Sequence, residues 1–194
     1  MKKTTTRAAV IILIVLVAVV GVFAYLQGRV REESIDAVMT EAQKVLFRDL
    51  STNYPATVKE VMKYYVSIQK CFYSDSTTAE ELEQLGMKAR ELYDDDLLAV
   101  NGEEDYLIRL AADVNEFKDK KRTITSAAVA SSLNVDTFKE DGYEFARIRC
   151  DYSIMEGNTN NLVSIIYLLR RVDNGKNEPW KIYGWDNAEN VHVE

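Results

Sequence analysis

Three charged side chains alternate along one stretch of the sequence, EFARIRCDYSIM. Arg147, Arg149 and Asp151 are spaced two residues apart, and mostly apolar residues separate them. Because successive side chains of a β-strand point to opposite faces, this spacing places the three charges on one face of a half-buried strand. They either line a polar pocket or form cross-strand ion pairs on a solvated face, and the second interpretation is favoured.

A second group of side chains suited to binding lies near the end of the sequence, in WKIYGW. Strict alternation places Trp180 and Ile182 on one face of a strand and Tyr183 on the other. Gly184 permits a β-bulge that re-aims Trp185. We expect Trp180 and Ile182 to seal the core, whereas Tyr183 and Trp185 are candidates for a pocket rim or a partner surface.

The acidic stretch YDDDLL offers oxygen ligands of the kind that calcium prefers. The Asp-x-Asp-x-Asp-Gly spacing of a calcium loop is absent, and consecutive residues of a helix point in different directions. The sequence also has no phosphate-binding glycine loop, Cys/His metal cluster or serine-nucleophile elbow. We therefore expect neither a metal nor a cofactor.

Two cysteines, Cys71 and Cys150, are both predicted to face the core. An exported domain permits a disulfide between them, and two buried free thiols are an equally natural packing arrangement. A bridge requires Cα atoms within about 7 Å of each other, so both alternatives stay open at this point.

Histidine chemistry is disfavoured, because the only histidine is His192, two residues from the end of the chain and outside the predicted fold. No other set of acids, bases and nucleophiles converges in the sequence. The site residues therefore indicate binding rather than catalysis, and an enzyme is the least favoured class.

Four helices are predicted before these strands, from apolar residues at i, i+3, i+4 and i+7. The first begins near Ile35, and the second has Pro55 in its first turn. The third begins with a capping box formed by Thr78 and Glu81. The fourth has Asn101 as its N-cap.

After KDKKR the pattern changes from helical to alternating, which predicts a run of strands. NNLVSIIYLLRRV is apolar on both faces and predicts a central strand, and WKIYGW pairs with it after a turn. TITSAAVA is a further candidate strand. Helices followed by antiparallel strands predict an α+β fold whose helices pack on one face of the sheet.

An uncharged apolar stretch at residues 8–26 follows Lys2, Lys3 and Arg7. As a helix it is roughly 28 Å long, close to the ~30 Å hydrocarbon core of a bilayer. We interpret it as a single-pass signal anchor in the cell membrane; the alternative is a signal peptide cleaved near Ala24, which yields a secreted protein. The predicted organisation is a cytoplasmic tail at 1–7, the transmembrane helix at 8–26, a short linker at 27–33, an extracytoplasmic domain at 34–188 and a tail at 189–194.

Charge determines the expected orientation and excludes one class of partner. Positive residues before the span favour a cytoplasmic N-terminus, with the domain outside. The chain has a net charge of -7, and residues 27–194 combine 21 basic with 31 acidic residues. So acidic a domain repels nucleic acid, and we expect no nucleic-acid partner.

The ending YLLRRVDNGKNEPWKIYGWD, together with the order of elements over residues 34–188, resembles the nuclear-transport-factor-two-like cone fold. That resemblance implies a curved sheet wrapped around helices. More narrowly, PATVKEVMKYYVSIQKCFYS and ARELYDDDLLAVN are similar to an uncharacterised family of single-pass proteins from anaerobic Gram-positive bacteria. This second resemblance implies a bacterial membrane address but no reaction.

The sequence therefore predicts a membrane-anchored extracytoplasmic domain, most simply a non-catalytic protein-interaction or assembly module of the cell envelope. Its partner is another envelope protein or a second copy of itself. The alternative is a small-ligand-binding cone domain, because cone folds commonly enclose a cavity and the chain has 11 tyrosines to line one.

Overall fold

The computed structural model describes residues 39–172 and 178–190 of the chain. The predicted N-terminal tail, transmembrane helix and linker lie outside the described residues, as does His192. Among the described residues, none of the helices combines the length and apolar character needed to cross a bilayer. The elements below belong to a compact unit that begins at Glu41.

Helices make up the first half of this unit. The described residues contain α1 (Glu41–Phe47), α2 (Val58–Phe72), α3 (Ala79–Arg90), α4 (Asp95–Val100) and α5 (Glu103–Asp119).

Capping side chains determine where α2 and α3 begin. Thr57 and Glu60 form a capping box at α2, so this helix begins after Pro55 and not with Pro55 in its first turn. The predicted box of Thr78 and Glu81 at α3 is confirmed: the Glu81 amide donates to Thr78 Oγ1 at 3.1 Å, and the Thr78 amide donates to Glu81 Oε2 at 3.0 Å.

The predicted N-cap at Asn101 is wrong. Asn101 ends the short helix α4, and Gly102 is the N-cap of α5. The Asn101 side chain instead donates to the Leu97 carbonyl oxygen at 3.0 Å, one turn back along α4. The prediction failed because only a short turn separates the end of α4 from the start of α5. Asparagine is common both after the last residue of a helix and at the N-cap of the next one.

The second half of the unit is an antiparallel sheet of β1 (Arg122–Val129), β2 (Asp136–Glu140), β3 (Tyr143–Glu156), β4 (Thr159–Val172) and β5 (Lys181–Asn187). The order is β1-β3-β4-β5, and β2 also pairs with β3. The first half of β3 pairs with β2 and its second half with β1, so both short strands share one edge of the long strand. The predicted central strand is β4, which lies between β3 and β5.

Two tight turns hold these strands in register. Asp141 and Gly142 join β2 to β3, and both have positive φ, as a type I′ turn requires. Gly157 has a φ of +60° at the first central position of the β3–β4 turn, which is the position of glycine in type II′ turns.

One face of the sheet packs against the helices and forms the core. The predicted inward residues of β3, Ala146, Ile148, Cys150 and Tyr152, are all buried. Tyr167, Leu169 and Ile182 extend this face across β4 and β5, and the core also contains most of the apolar side of α2. The α+β architecture with helices on one sheet face is therefore confirmed.

Of the two alternatives left open for Cys71 and Cys150, the structure shows the free thiols and no disulfide. Both side chains are buried free thiols, Cys71 in the last turn of α2 and Cys150 in the middle of β3. Each is enclosed by the apolar core, where a small side chain fills space without a covalent link.

Candidate functional site

The main candidate site is a cavity of about 270 Å³ where α2, α5 and β5 meet. We call it the aromatic cavity. It is lined by Tyr65, Gln69, Phe72, Tyr73, Tyr93, Asn101, Tyr106, Arg109, Leu110, Asp113 and Trp185. Its lining combines a continuous aromatic surface with a small number of polar and charged groups, the usual composition of a binding pocket.

Helical periodicity brings the lining residues of α5 together. Tyr106, Arg109, Leu110 and Asp113 follow the i, i+3, i+4, i+7 spacing and therefore lie on one face of this helix. Because that face contains two charged residues, the sequence pattern alone predicts that it is exposed to solvent.

The aromatic wall of the cavity consists of Trp185, Tyr65 and Tyr93. The Trp185 ring centroid lies 6.5 Å from that of Tyr65 and 5.9 Å from that of Tyr93. Trp185 is 47% exposed, whereas the two tyrosines behind it are buried. The indole is thus held by packing on one side and open on the other, which leaves its face accessible to a ligand.

A chain of hydroxyl groups runs along this wall. The Tyr65 and Tyr93 oxygens are 3.0 Å apart, and the Tyr93 and Tyr106 oxygens are 3.4 Å apart. Three hydroxyls carry three hydrogens, and the two contacts use only two of them. Either oxygen of each pair can be the donor, so the remaining hydrogen belongs to one of the three tyrosines, all of which line the cavity.

Gln69 links the cavity to the core of the sheet. Its Oε1 accepts from the Tyr152 hydroxyl at 2.6 Å, and its Nε2 donates to the Tyr167 hydroxyl at 3.2 Å. The Tyr152 and Tyr167 oxygens are 3.1 Å apart, which closes a ring of three side chains. An amide has two N–H hydrogens, so among the described residues one Gln69 hydrogen has no acceptor.

The charged rim of the cavity is formed by Arg109 and Asp113. Arg109 donates to Asn101 Oδ1 at 2.9 Å, which fixes the guanidinium beside the end of α4. Asp113 lies one turn further along α5 and is exposed. The two groups have opposite charge, so the rim has no net charge.

Burial controls the ionisation of the cavity hydroxyls. It raises the pKa of Tyr65, Tyr73, Tyr93 and Tyr106 above the ordinary tyrosine value. All four therefore remain protonated at neutral pH and act as neutral donors and acceptors rather than as general bases.

The two aromatic candidates from the sequence, Tyr183 and Trp185, lie on opposite faces of the sheet. Leu168 pairs with Gly184 and Leu169 with Ile182, so Tyr183 is bulged out of the ladder. The bulge predicted near Gly184 is thus confirmed. It directs Trp185 into the aromatic cavity, while Tyr183 contacts Phe145 on the outer face at 5.7 Å between ring centroids.

The charged candidates of β3 lie on that outer face and do not line the aromatic cavity. Arg149 donates to Asp151 Oδ1 and to Ser164 Oγ, both at 2.7 Å. Arg147 donates to Asp136 Oδ2 on the neighbouring strand at 3.3 Å. Partial burial opposes the effect, but hydrogen bonds from Ser164 and Arg149 hold the pKa of Asp151 below its ordinary value. The pair of Arg147 and Asp136 is the cross-strand ion pair on an exposed face that the spacing favoured, whereas Arg149 and Asp151 pair along one strand.

The acidic stretch YDDDLL has a structural role that the sequence pattern did not reveal. Asp94 is the N-cap of α4, where its Oδ1 accepts from the Asp96 amide at 3.0 Å. The same carboxylate forms a two-pronged ion pair with Arg170, whose Nε donates to Asp94 Oδ2 at 2.9 Å. Among the described residues, no group of His, Cys, Asp and Glu is arranged to hold a metal ion.

A second, larger groove of about 530 Å³ lies between α1, the end of α2 and β1. Most of its polar lining is short Ser and Thr side chains, and a single aromatic residue, Tyr73, contributes to it. It therefore offers less for ligand recognition than the aromatic cavity.

Comparison with known proteins gives a family but no activity. No curated protein matches the sequence. A family model described as a domain of unknown function, DUF6715, matches residues 1–185. The chain therefore belongs to the DUF6715 family.

Proposed function

We propose that the described unit is a non-catalytic, small-ligand-binding domain. The observation that carries this proposal is the aromatic cavity, in which a half-exposed Trp185 faces hydrogen-bonding groups from α2 and α5. The cavity tyrosines stay neutral at physiological pH, and a binding role needs only neutral donors and acceptors.

The cone-type fold is part of the same proposal. Register shifts interrupt the β1–β3 pairing between Ile124 and Ser126 and the β4–β5 pairing between Leu168 and Leu169. Bulges bend strands and increase their twist, and such bending supports a sheet that curves around α2. In a cone, the space between the curved sheet and the helices is where a ligand is enclosed.

The ligand proposal predicts that the protein retains a small molecule when it is isolated from its own membranes. Full-length protein would be denatured after purification, and the released compounds would be identified by mass spectrometry. We expect one enriched compound from the wild type, and a loss of at least tenfold from Trp185→Ala, which removes the open aromatic surface. Arg149→Ala on the opposite sheet face is the matched control and should retain the compound. Equal recovery from all three proteins would contradict the proposal.

We also propose that residues 8–26 anchor this domain in the cell membrane, with the domain outside the cytoplasm. Support comes from the length and charge pattern of the N-terminal sequence. We expect the intact chain to stay in the membrane pellet after alkaline carbonate washing, and external protease to digest the domain in intact cells. A shorter protein in the medium, beginning after Ala24, would instead establish cleavage.

The outer sheet face favours a second function, contact with an envelope protein. Leu162 is 67% exposed there, beside Ser153 on β3 and close to the pair of Arg149 and Asp151. A photo-cross-linking residue at position 162 is expected to capture one partner in native membranes. The same residue at Ile108, an exposed apolar position of α5, is the control. Identical products from both positions would argue against a specific contact at the sheet.

A further inference from the structure

The charges around the aromatic cavity limit the ligands that it can accept. Arg109 and Asp113 are one turn apart on α5, and both line the cavity. The described residues show no ion pair between them, so each can contact a ligand. An anion at this rim meets the carboxylate of Asp113, and a cation meets the guanidinium of Arg109. A neutral ligand with both donors and acceptors satisfies the two groups together.

The hydrogen-bonding groups inside the cavity require ligand oxygens. One hydroxyl hydrogen of the Tyr65–Tyr93–Tyr106 chain and one amide hydrogen of Gln69 are left over by the protein's own contacts. A donor that loses water on binding needs a replacement acceptor, because an unsatisfied polar group costs about 1–3 kcal/mol. The ligand therefore carries hydroxyl or ether oxygens on the edge that faces α2 and α5.

The half-exposed ring of Trp185 gives the cavity an apolar surface beside these donors. Trp185 presents its open ring to the cavity, with Tyr65 and Tyr93 behind it. Such a surface packs against a flat patch of C–H groups. A volume of about 270 Å³ is slightly below the ~300 Å³ at which pockets for drug-sized ligands begin. One ring with an apolar face and a polar edge fits these conditions.

We infer that the aromatic cavity binds a neutral polyhydroxylated ring, such as a single sugar residue, with its C–H face on Trp185 and its hydroxyl groups on Arg109, Asp113 and Gln69. This inference rests on the proposed ligand-binding function and names its ligand class. The hydroxyl groups of such a ring both donate to Asp113 and accept from Arg109, so both rim charges are used.

Saturation-transfer NMR on the full-length protein tests this inference. The protein would be held in a polyoxyethylene-ether detergent, which has neither a sugar nor an ammonium head group. The probes are glucose, galactose, N-acetylglucosamine and myo-inositol, with choline and benzoate as a cation and an aromatic anion of similar size. We expect saturation at the ring C–H protons of at least one neutral probe, and a weaker signal or none for choline and benzoate.

Variants then locate the binding. Asp113→Asn and Tyr106→Phe are nearly isosteric and are expected to weaken binding of the neutral probe at least tenfold, while Arg149→Ala on the outer sheet face leaves it unchanged. Binding of choline or benzoate alone would overturn the sugar inference and leave ligand binding intact. Neutral-probe binding unaffected by both cavity variants would also overturn it. If no probe binds and no compound is retained from native membranes, the proposed ligand-binding function would be contradicted as well.

Discussion

Replacement of Asp94 by alanine is expected to lower the free energy of unfolding by about 3–5 kcal/mol. The Asp94 and Arg170 side chains are only 10% and 11% exposed, and they form an ion pair through two hydrogen bonds. Without its partner, the Arg170 guanidinium remains in a poorly solvated position beneath the rings of Tyr143 and Tyr183. The remaining contact to Asp96, at 2.8 Å, involves a carboxylate that is largely in water and compensates only in part.

The loss combines two contributions, which further variants separate. Asp94→Asn keeps the cap of α4, because asparagine is as good an N-cap as aspartate, but it removes the charge. The double variant Asp94→Asn/Arg170→Met contains no buried unpaired charge, so we expect it to be more stable than Asp94→Asn alone. Asp95→Ala, at the exposed neighbouring position, should change stability by no more than about 0.5 kcal/mol.

Urea denaturation followed by circular dichroism provides the measurement for the wild type and all four variants. A cost below about 1 kcal/mol for Asp94→Ala would place this pair among ordinary surface ion pairs. The same result would mean that the junction between α4 and β5 is solvated. The Asp94 amide donates to the Ile182 carbonyl oxygen and the Ile182 amide to the Leu92 carbonyl oxygen, both at 2.8 Å. These two amide hydrogens would then be expected to exchange rapidly with solvent.

Local patterns in the sequence were sufficient to predict much of the fold. The Thr78–Glu81 box, the alternation through β3 and the bulge at Gly184 each depend on neighbours within a few residues. The physics of caps, strands and bulges acts over that distance. The error at Asn101 has the same origin, because the residue types that end one helix and begin the next overlap.

The aromatic cavity was not accessible to the same reasoning. Tyr65, Tyr106 and Trp185 come from three elements that are distant in the sequence, and only the packing of α5 and β5 against α2 brings them together. One signal was present: the spacing of Tyr106, Arg109 and Asp113 on a single helix face. It was overlooked because charged residues on a helix normally indicate solvent. The sequence indicates Trp185 as a candidate because its bulge is a local feature.

Alkaline conditions are expected to unfold the protein over a narrow pH range, beginning near pH 9 and becoming steep above pH 10. Burial raises the pKa of the Cys150 thiol from its ordinary value of 9.0 to about 12 and that of Tyr64 from 10.0 to about 12. Burial also raises the pKa of other core and cavity hydroxyls, those of Tyr54, Tyr65, Tyr73, Tyr93, Tyr106, Tyr152 and Tyr167.

The direction follows from proton linkage. Between its unfolded and folded pKa values, a buried hydroxyl or thiol is ionised in the unfolded chain but protonated in the folded one. The folded state then binds more protons, so stability falls as pH rises. Each such group removes at most about 1.4 kcal/mol per pH unit, and several groups act together. Below pH 9 these groups are protonated in both states, and their contribution is constant.

Thermal unfolding between pH 7 and pH 12 would measure this decline, and the double variant Cys71→Ala/Cys150→Ala would identify its onset. Burial raises the pKa of both thiols, which have the lowest ordinary pKa of these groups, so their removal together is expected to move the onset from about pH 9 to about pH 10. A bridged cysteine does not titrate, so an unchanged onset would be the result expected of a disulfide between Cys71 and Cys150. An unfolding temperature that stays constant through pH 12 would mean that water reaches the tyrosines in the folded protein, and the enclosed hydroxyl chain behind Trp185 would not exist.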